Sequence, residues 1–141
     1  MHPLRFLLVE DDVAHAKLVR MALEEHRVAN STDCVVDGAE ALAYLAGEGQ
    51  YAGKPRPDVI LLDLKLPKID GHEVLRRVKE DDNLRSIPVV VLTTSDAEAD
   101  KAKAYMSHAN SYIVKPVDFE SFDRIVRDLE FYWTVVNAPP P

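Results

Sequence analysis

Val59-Ile60-Leu61-Leu62 runs without a polar interruption into Asp63, so an apolar stretch ends on a single acid. A strand that is apolar at every position is covered on both faces, which is the mark of a parallel sheet flanked by helices. Val89-Val90-Val91-Leu92 has the same form and closes on Thr93. Leu4-Arg5-Phe6-Leu7-Leu8-Val9 closes on Glu10-Asp11-Asp12, and Tyr112-Ile113-Val114 closes on Lys115-Pro116. In a parallel sheet every strand points the same way. Their closing residues therefore meet along one edge, where open α/β folds bind ligands.

Working outward, strands are expected at about 4–9, 32–36, 58–62, 88–93 and 110–114. Helices are expected near 12–26, 38–46, 70–80, 96–107 and 118–134. Ala14, Leu18, Met21 and Ala22 give the first helix its apolar stripe, and Phe119, Phe122, Ile125, Val126, Leu129 and Trp133 do so for the last. Asp12, Asp70 and Asp118 stand where three of these helices begin and can cap them. The alternation of strand and helix implies right-handed crossovers and a doubly wound, five-stranded parallel α/β sheet. The segment from Gly47 to Pro57, rich in Gly and Pro, reads as a long surface loop, and Pro139-Pro140-Pro141 as a non-helical tail.

A chain of 141 residues suffices for one domain with its own core, so residues 1–141 are read as a single unit extended past the last helix at about 134–141. Acids outnumber bases 24 to 17, and the resulting charge of −7 opposes binding to nucleic acid or to anionic membranes. The apolar runs fall far short of the roughly 18 residues that suggest a membrane span. Met1-His2-Pro3 leads directly into a strand without a secretory segment, and a single cysteine, Cys34, fits a reducing compartment. The expected location is cytoplasmic. Cys34 lies in an apolar stretch and is expected to be buried and inert.

Adjacent carboxylates at a strand end, such as Glu10 and Asp11, repel each other and lose hydration together. A divalent cation relieves both problems, and a hard oxygen site that keeps several waters suits Mg²⁺. Asp63 is the candidate nucleophile, because carboxylates accept phosphoryl groups to give aspartyl phosphates. Its charge, with those of Glu10 and Asp11, would be offset by Lys115 and by the metal, so that an anionic phosphodonor could approach. Asp12 is assigned mainly to capping, and Asp81-Asp82, which follows a helix, to solvated surface. A hydroxyl at Thr93 could donate to a phosphoryl oxygen. A cis bond at Lys115-Pro116 would aim the lysine into the crevice.

These pieces together resemble the receiver domain of two-component response regulators over essentially the whole chain. The resemblance rests on Leu8-Val9-Glu10-Asp11-Asp12, on Asp63-Leu64-Lys65-Leu66-Pro67-Lys68-Ile69-Asp70-Gly71, and on Thr93, Tyr112 and Lys115-Pro116. It implies the flavodoxin-like (βα)5 fold with strand order 2-1-3-4-5. It further implies that Asp63 takes the phosphoryl group from a histidine kinase, and that Glu10, Asp11, Asp63 and the main-chain carbonyl of Lys65 hold Mg²⁺. Lys115 would contact the phosphoryl group, with Thr93 and Tyr112 as the switch pair. Thr94 stands where the family commonly has a very small residue, which would narrow the path to phosphorus. Lys65 and Ser95 occupy places where the family varies its rate of phosphate loss.

The Gly47–Pro57 loop and the ending Leu129-Glu130-Phe131-Tyr132-Trp133-Thr134-Val135-Val136-Asn137 look like those of small stand-alone regulators that partner phytochrome-type histidine kinases. No output domain is expected to follow. Phe131, Tyr132 and Val135 or Val136 would exceed what one helix stripe can bury, so a homodimer through the last helix and tail is expected. Two other roles stay open within this reading: a relay intermediate passing its phosphate onward, and a receiver-like scaffold that is never phosphorylated. A phosphatase of the haloacid dehalogenase type also uses a strand-end aspartate, but needs a second aspartate where this chain has Lys65. The histidines at 2, 15, 26, 72 and 108 lack zinc-motif spacing and are expected on the surface.

Overall fold

The computed structural model describes residues 5–25, 31–64, 66–93 and 111–114. Within them the chain forms strand β1 (Arg5–Val9), helix α1 (Val13–Glu25), β2 (Ser31–Val35), α2 (Gly38–Ala46), β3 (Val59–Asp63), α3 (Gly71–Glu80), β4 (Val89–Thr93) and β5 (Ser111–Val114). Each expected strand is present, with ends moved by about one residue, as fraying and hydrogen-bond criteria usually allow. The helices expected near 96–107 and 118–134 lie outside the described residues.

The sheet is parallel throughout, in the order β2-β1-β3-β4-β5. This is the doubly wound arrangement, and it follows from the direction of each crossover. From β1 the chain steps outward to β2, then returns past β1 to β3, which reverses the side on which the connecting helix lies. Accordingly α2 and α3 share one face. Ala41, Tyr44, Val74, Leu75 and Val78 from these helices join Leu7, Val9, Ile60, Leu62, Val89 and Val91 in one buried cluster. The alternating strand residues Phe6, Leu8, Val59, Leu61 and Val90 are buried as well, and α1 buries Ala16, Val19 and Leu23.

All five residues of β3 are buried, which is why its sequence shows no polar alternation. Enclosing a side chain such as Ile60 or Leu62 contributes about 1.5–3 kcal/mol. The central strands are therefore the firmest support the fold offers to whatever follows them.

The Gly47–Pro57 connection is more ordered than a plain loop. A single 3-10 turn, Gly49–Tyr51, folds Tyr51 against Tyr44 with ring centroids 5.2 Å apart. The Tyr51 hydroxyl donates to the Glu40 carboxylate, and that of Tyr44 donates to Asp33 Oδ2 at 2.5 Å. Burial, followed by the bond to Asp33, pushes the Tyr44 hydroxyl well above its ordinary range, so it remains a donor. Farther along, Arg56 Nη2 donates to Ser86 Oγ at 2.6 Å, and the Asp58 amide donates to the Arg5 carbonyl at 2.8 Å. The backbone bonds and ring contact of this segment replace the water contacts that a free loop would make.

Candidate functional site

Val9 of β1 is the register partner of Leu62 of β3. The next residue in each strand direction is an acid, Glu10 in one case and Asp63 in the other, so the two arrive at the carboxyl edge together. The Glu10 amide donates to the Val35 carbonyl at 3.0 Å, which carries the sheet pairing one step past β1. Glu10 is 3% exposed and Asp63 7%, whereas Asp11 is open to solvent. One carboxylate oxygen from each of Glu10, Asp11 and Asp63 can be chosen so that all lie within 4.8 Å of one another.

Three carboxylates this close, two of them desolvated, form a donor set of hard oxygens that a divalent cation fits. The exposed side at Asp11 leaves room for water ligands. Among the described residues this is the group of acids, histidines and cysteines that could hold a metal.

Asp12, the next residue, caps α1. Its Oδ1 accepts from the His15 amide at 3.1 Å, and its carbonyl accepts from the Ala16 amide at 2.9 Å. The cap brings His15 back over the strand end, where its Nδ1 lies 3.3 Å from Glu10 Oε1 and 3.6 Å from Asp12 Oδ2. His15 is thus half-buried at the site and does not lie on the open surface as its sequence context suggested. A lone histidine in a helix carries no spacing that would have marked this contact in the sequence.

The connection from β3 to α3 lies against both helices of its face. A Cβ on Gly71 would come within 2.3 Å of the Asp63 carbonyl oxygen and 2.6 Å of Leu64 Cα, so only glycine lets α3 start this close to the acid. The Gly71 amide donates to the Leu64 carbonyl at 3.0 Å, and Asp70 Oδ1 caps the helix by accepting from the His72 amide at 2.8 Å. On the other side, a Cβ on Gly38 would stand 2.0 Å from the Ile69 carbonyl oxygen.

Leu92 is the register partner of Asp63, so Thr93 closes β4 beside the acidic strand end. Thr93 pairs in turn with Val114, and Tyr112 with Val91, which fixes the backbone positions of both expected switch residues. Their side chains lie outside the described residues, as do Lys65, Thr94, Ser95, Lys115 with its bond to Pro116, and Asp118. Cys34 is half-buried and not fully enclosed. Burial pushes its thiol up, with nearby Arg20 partly offsetting this. No helix among the described residues is long and apolar enough to cross a membrane.

The family model for the response regulator receiver domain matches residues 6–127. Among curated proteins, the chain is 46% identical over 139 residues to a probable methanogenesis regulatory protein, FilR2, of Methanothrix harundinacea, covering 98% of this chain and 88% of that one. It is 41% identical over 131 residues to response regulator Rcp1 of Synechocystis, covering 93% and 89%. Among solved structures, the phosphorylated cyanobacterial phytochrome response regulator RcpA matches with a TM-score of 0.91 at 44% identity over 99% of each chain. The Mn²⁺-bound form of Rcp1 matches with a TM-score of 0.87 at 39% identity, over 99% of this chain and 100% of that chain.

Proposed function

The chain belongs to the response regulator receiver family, whose general function is to accept a phosphoryl group in two-component signalling, and we propose that Asp63 is the accepting residue. The observation that carries this reading is the convergence of Glu10, Asp11 and Asp63 within 4.8 Å at the carboxyl edge of the sheet. An Asp63 carboxylate oxygen forms the new bond to phosphorus as the bond from phosphorus to the donor's histidine nitrogen breaks. The imidazole leaves with that electron pair.

Receiver domains bind a divalent metal, and here Glu10, Asp11, Asp63 and the main-chain carbonyl of Lys65 are the residues that would hold it, as Mg²⁺. The bound metal supplies positive charge to the oxygens of the transferring group. Lys115 supplies a second cation to those oxygens, and Thr93 a hydroxyl donor, after which Tyr112 follows Thr93 to signal the phosphorylated state. The family implies a histidine kinase as partner. Rcp1 and RcpA are counterparts of nearly the same length, and RcpA is a phytochrome response regulator. By that likeness the kinase is of the phytochrome type, the chain is a single-domain cytoplasmic regulator, and its last helix and tail pair two copies. The excess of acids makes nucleic acid an unfavourable partner.

Intact mass after incubation with acetyl phosphate tests the central claim. The mass of one phosphoryl group should be gained with Mg²⁺ and not with a chelator. Full gain in Asp63→Asn, or undiminished gain without metal, would overturn the assignment.

A further inference from the structure

The segment that follows Asp63 contains Lys68, the described non-glycine residue with a left-handed backbone, at φ 66. An L side chain in that region is disfavoured by contact of Cβ with its own backbone, and it persists where its surroundings hold it. Here the surroundings are the start of α2. Lys68 Nζ lies 3.5 Å from Asp37 Oδ2, and Asp37 is buried while the lysine is mostly exposed. The other oxygen of Asp37, Oδ1, accepts from the Glu40 amide at 2.7 Å and so caps α2. Beside this pair the Gly38 amide faces the Pro67 carbonyl at 3.5 Å, and the absent Cβ of Gly38 leaves room for the Ile69 carbonyl.

One buried carboxylate thus fixes the helix start with one oxygen and meets the loop cation with the other. The loop it holds connects directly to Asp63 and Leu64, whose carbonyl oxygens pack against Gly71. We infer that Asp37 and Lys68 are a positioning pair, a latch that keeps the β3–α3 loop in its left-handed turn and thereby sets the rate of phosphoryl transfer to Asp63. This rests on Asp63 being the acceptor. Neither residue needs to touch the phosphoryl group.

A steering role for the Lys68 charge makes the opposite prediction for one variant, which makes the latch testable. Lys68→Met removes the cation and keeps the unfavourable turn. Asp37→Asn preserves the cap, since asparagine is an equally good N-cap, but leaves Lys68 unpaired. Under the latch both variants label more slowly with acetyl phosphate and saturating Mg²⁺. The loss expected is about fivefold or more, within the hundredfold that an ångström of misplacement can cost. Under charge steering Asp37→Asn would label faster than wild type. Lys68→Gly removes the side chain but takes up the left-handed turn without strain, so it should recover most of the wild-type rate.

The amide NMR signals of Gly38 and Gly71 supply a readout independent of labelling. They should shift in Lys68→Met and Asp37→Asn and return toward wild type in Lys68→Gly. Wild-type rates in all three variants, a faster Asp37→Asn, or a Lys68→Gly as slow as Lys68→Met would each overturn the latch. Failure of wild-type protein to label would instead overturn the acceptor assignment.

Discussion

His15 Nδ1 lies 3.3 Å from Glu10 Oε1, so a residue one turn into α1 steadies an acid presented by the end of β1. Groups that hold metal ligands from behind fix the ligand's orientation before the metal arrives. His15→Ala is expected to raise the dissociation constant for Mn²⁺, measured calorimetrically, by about tenfold. At saturating metal its phosphorylation should remain. An unchanged constant would show that the imidazole does not orient Glu10.

Asp12 and Asp63 are both strand-end acids, yet they should separate cleanly. Asp12→Ala removes the side-chain cap on the His15 amide and should cost about 1 kcal/mol in urea unfolding. It should still take up a phosphoryl group, whereas Asp63→Asn should not. Loss of labelling in both variants at full folding would place Asp12 in the chemistry and not in the cap alone.

Gly71→Ala forces a Cβ to within 2.3 Å of the Asp63 carbonyl oxygen. Backbone must shift, because neither partner is the flexible end of a side chain, and overpacking of this kind costs about 1–3 kcal/mol. The urea midpoint should fall, and labelling of the folded fraction should slow, since the atom displaced belongs to Asp63, the proposed acceptor. A variant with full stability would mean that α3 can retreat without penalty.

Glu73 on the outer side of α3 accepts from the guanidinium groups of Arg76 and Arg77, which hold its carboxyl down at about 2 from an ordinary 4.5. A depressed carboxyl adds stability above its unfolded value and loses it as pH falls through its folded value. The Glu73→Gln variant should therefore be less stable than wild type at pH 7. The gap should close between about pH 4.5 and 2. The difference will be small, because exposed ion pairs are screened by solvent. A gap that persists below pH 2 would assign it to packing.

Strands were legible because Val59–Leu62 and Val89–Val91 are buried and their runs are short and rich in β-branched residues. The acidic site was legible for a related reason. Parallel strands end along one edge, so the sequence alone groups Glu10, Asp11 and Asp63. His15 escaped because a lone histidine in an amphipathic helix has no spacing to mark it, and its contact with Glu10 depends on how the cap turns the chain. Lys68 escaped because a left-handed turn is normally announced by glycine or asparagine. Tyr51 escaped because its contacts with Tyr44 and Glu40 are between side chains, which leave no period in a sequence.

Tyr51 on α2, Arg56 on Ser86 and Asp58 on Arg5 pin the connection before β3 at three points. Gly53, between these anchors, has an open left-handed backbone with no atom within 4 Å of where a Cβ would stand. Gly53 leads into the amino-terminal end of β3, whereas Asp63 closes its other end. Gly53 is separated from β3 by the anchors at Arg56 and Asp58. It is where a dye or an affinity tag could be grafted while the carboxylates keep their spacing.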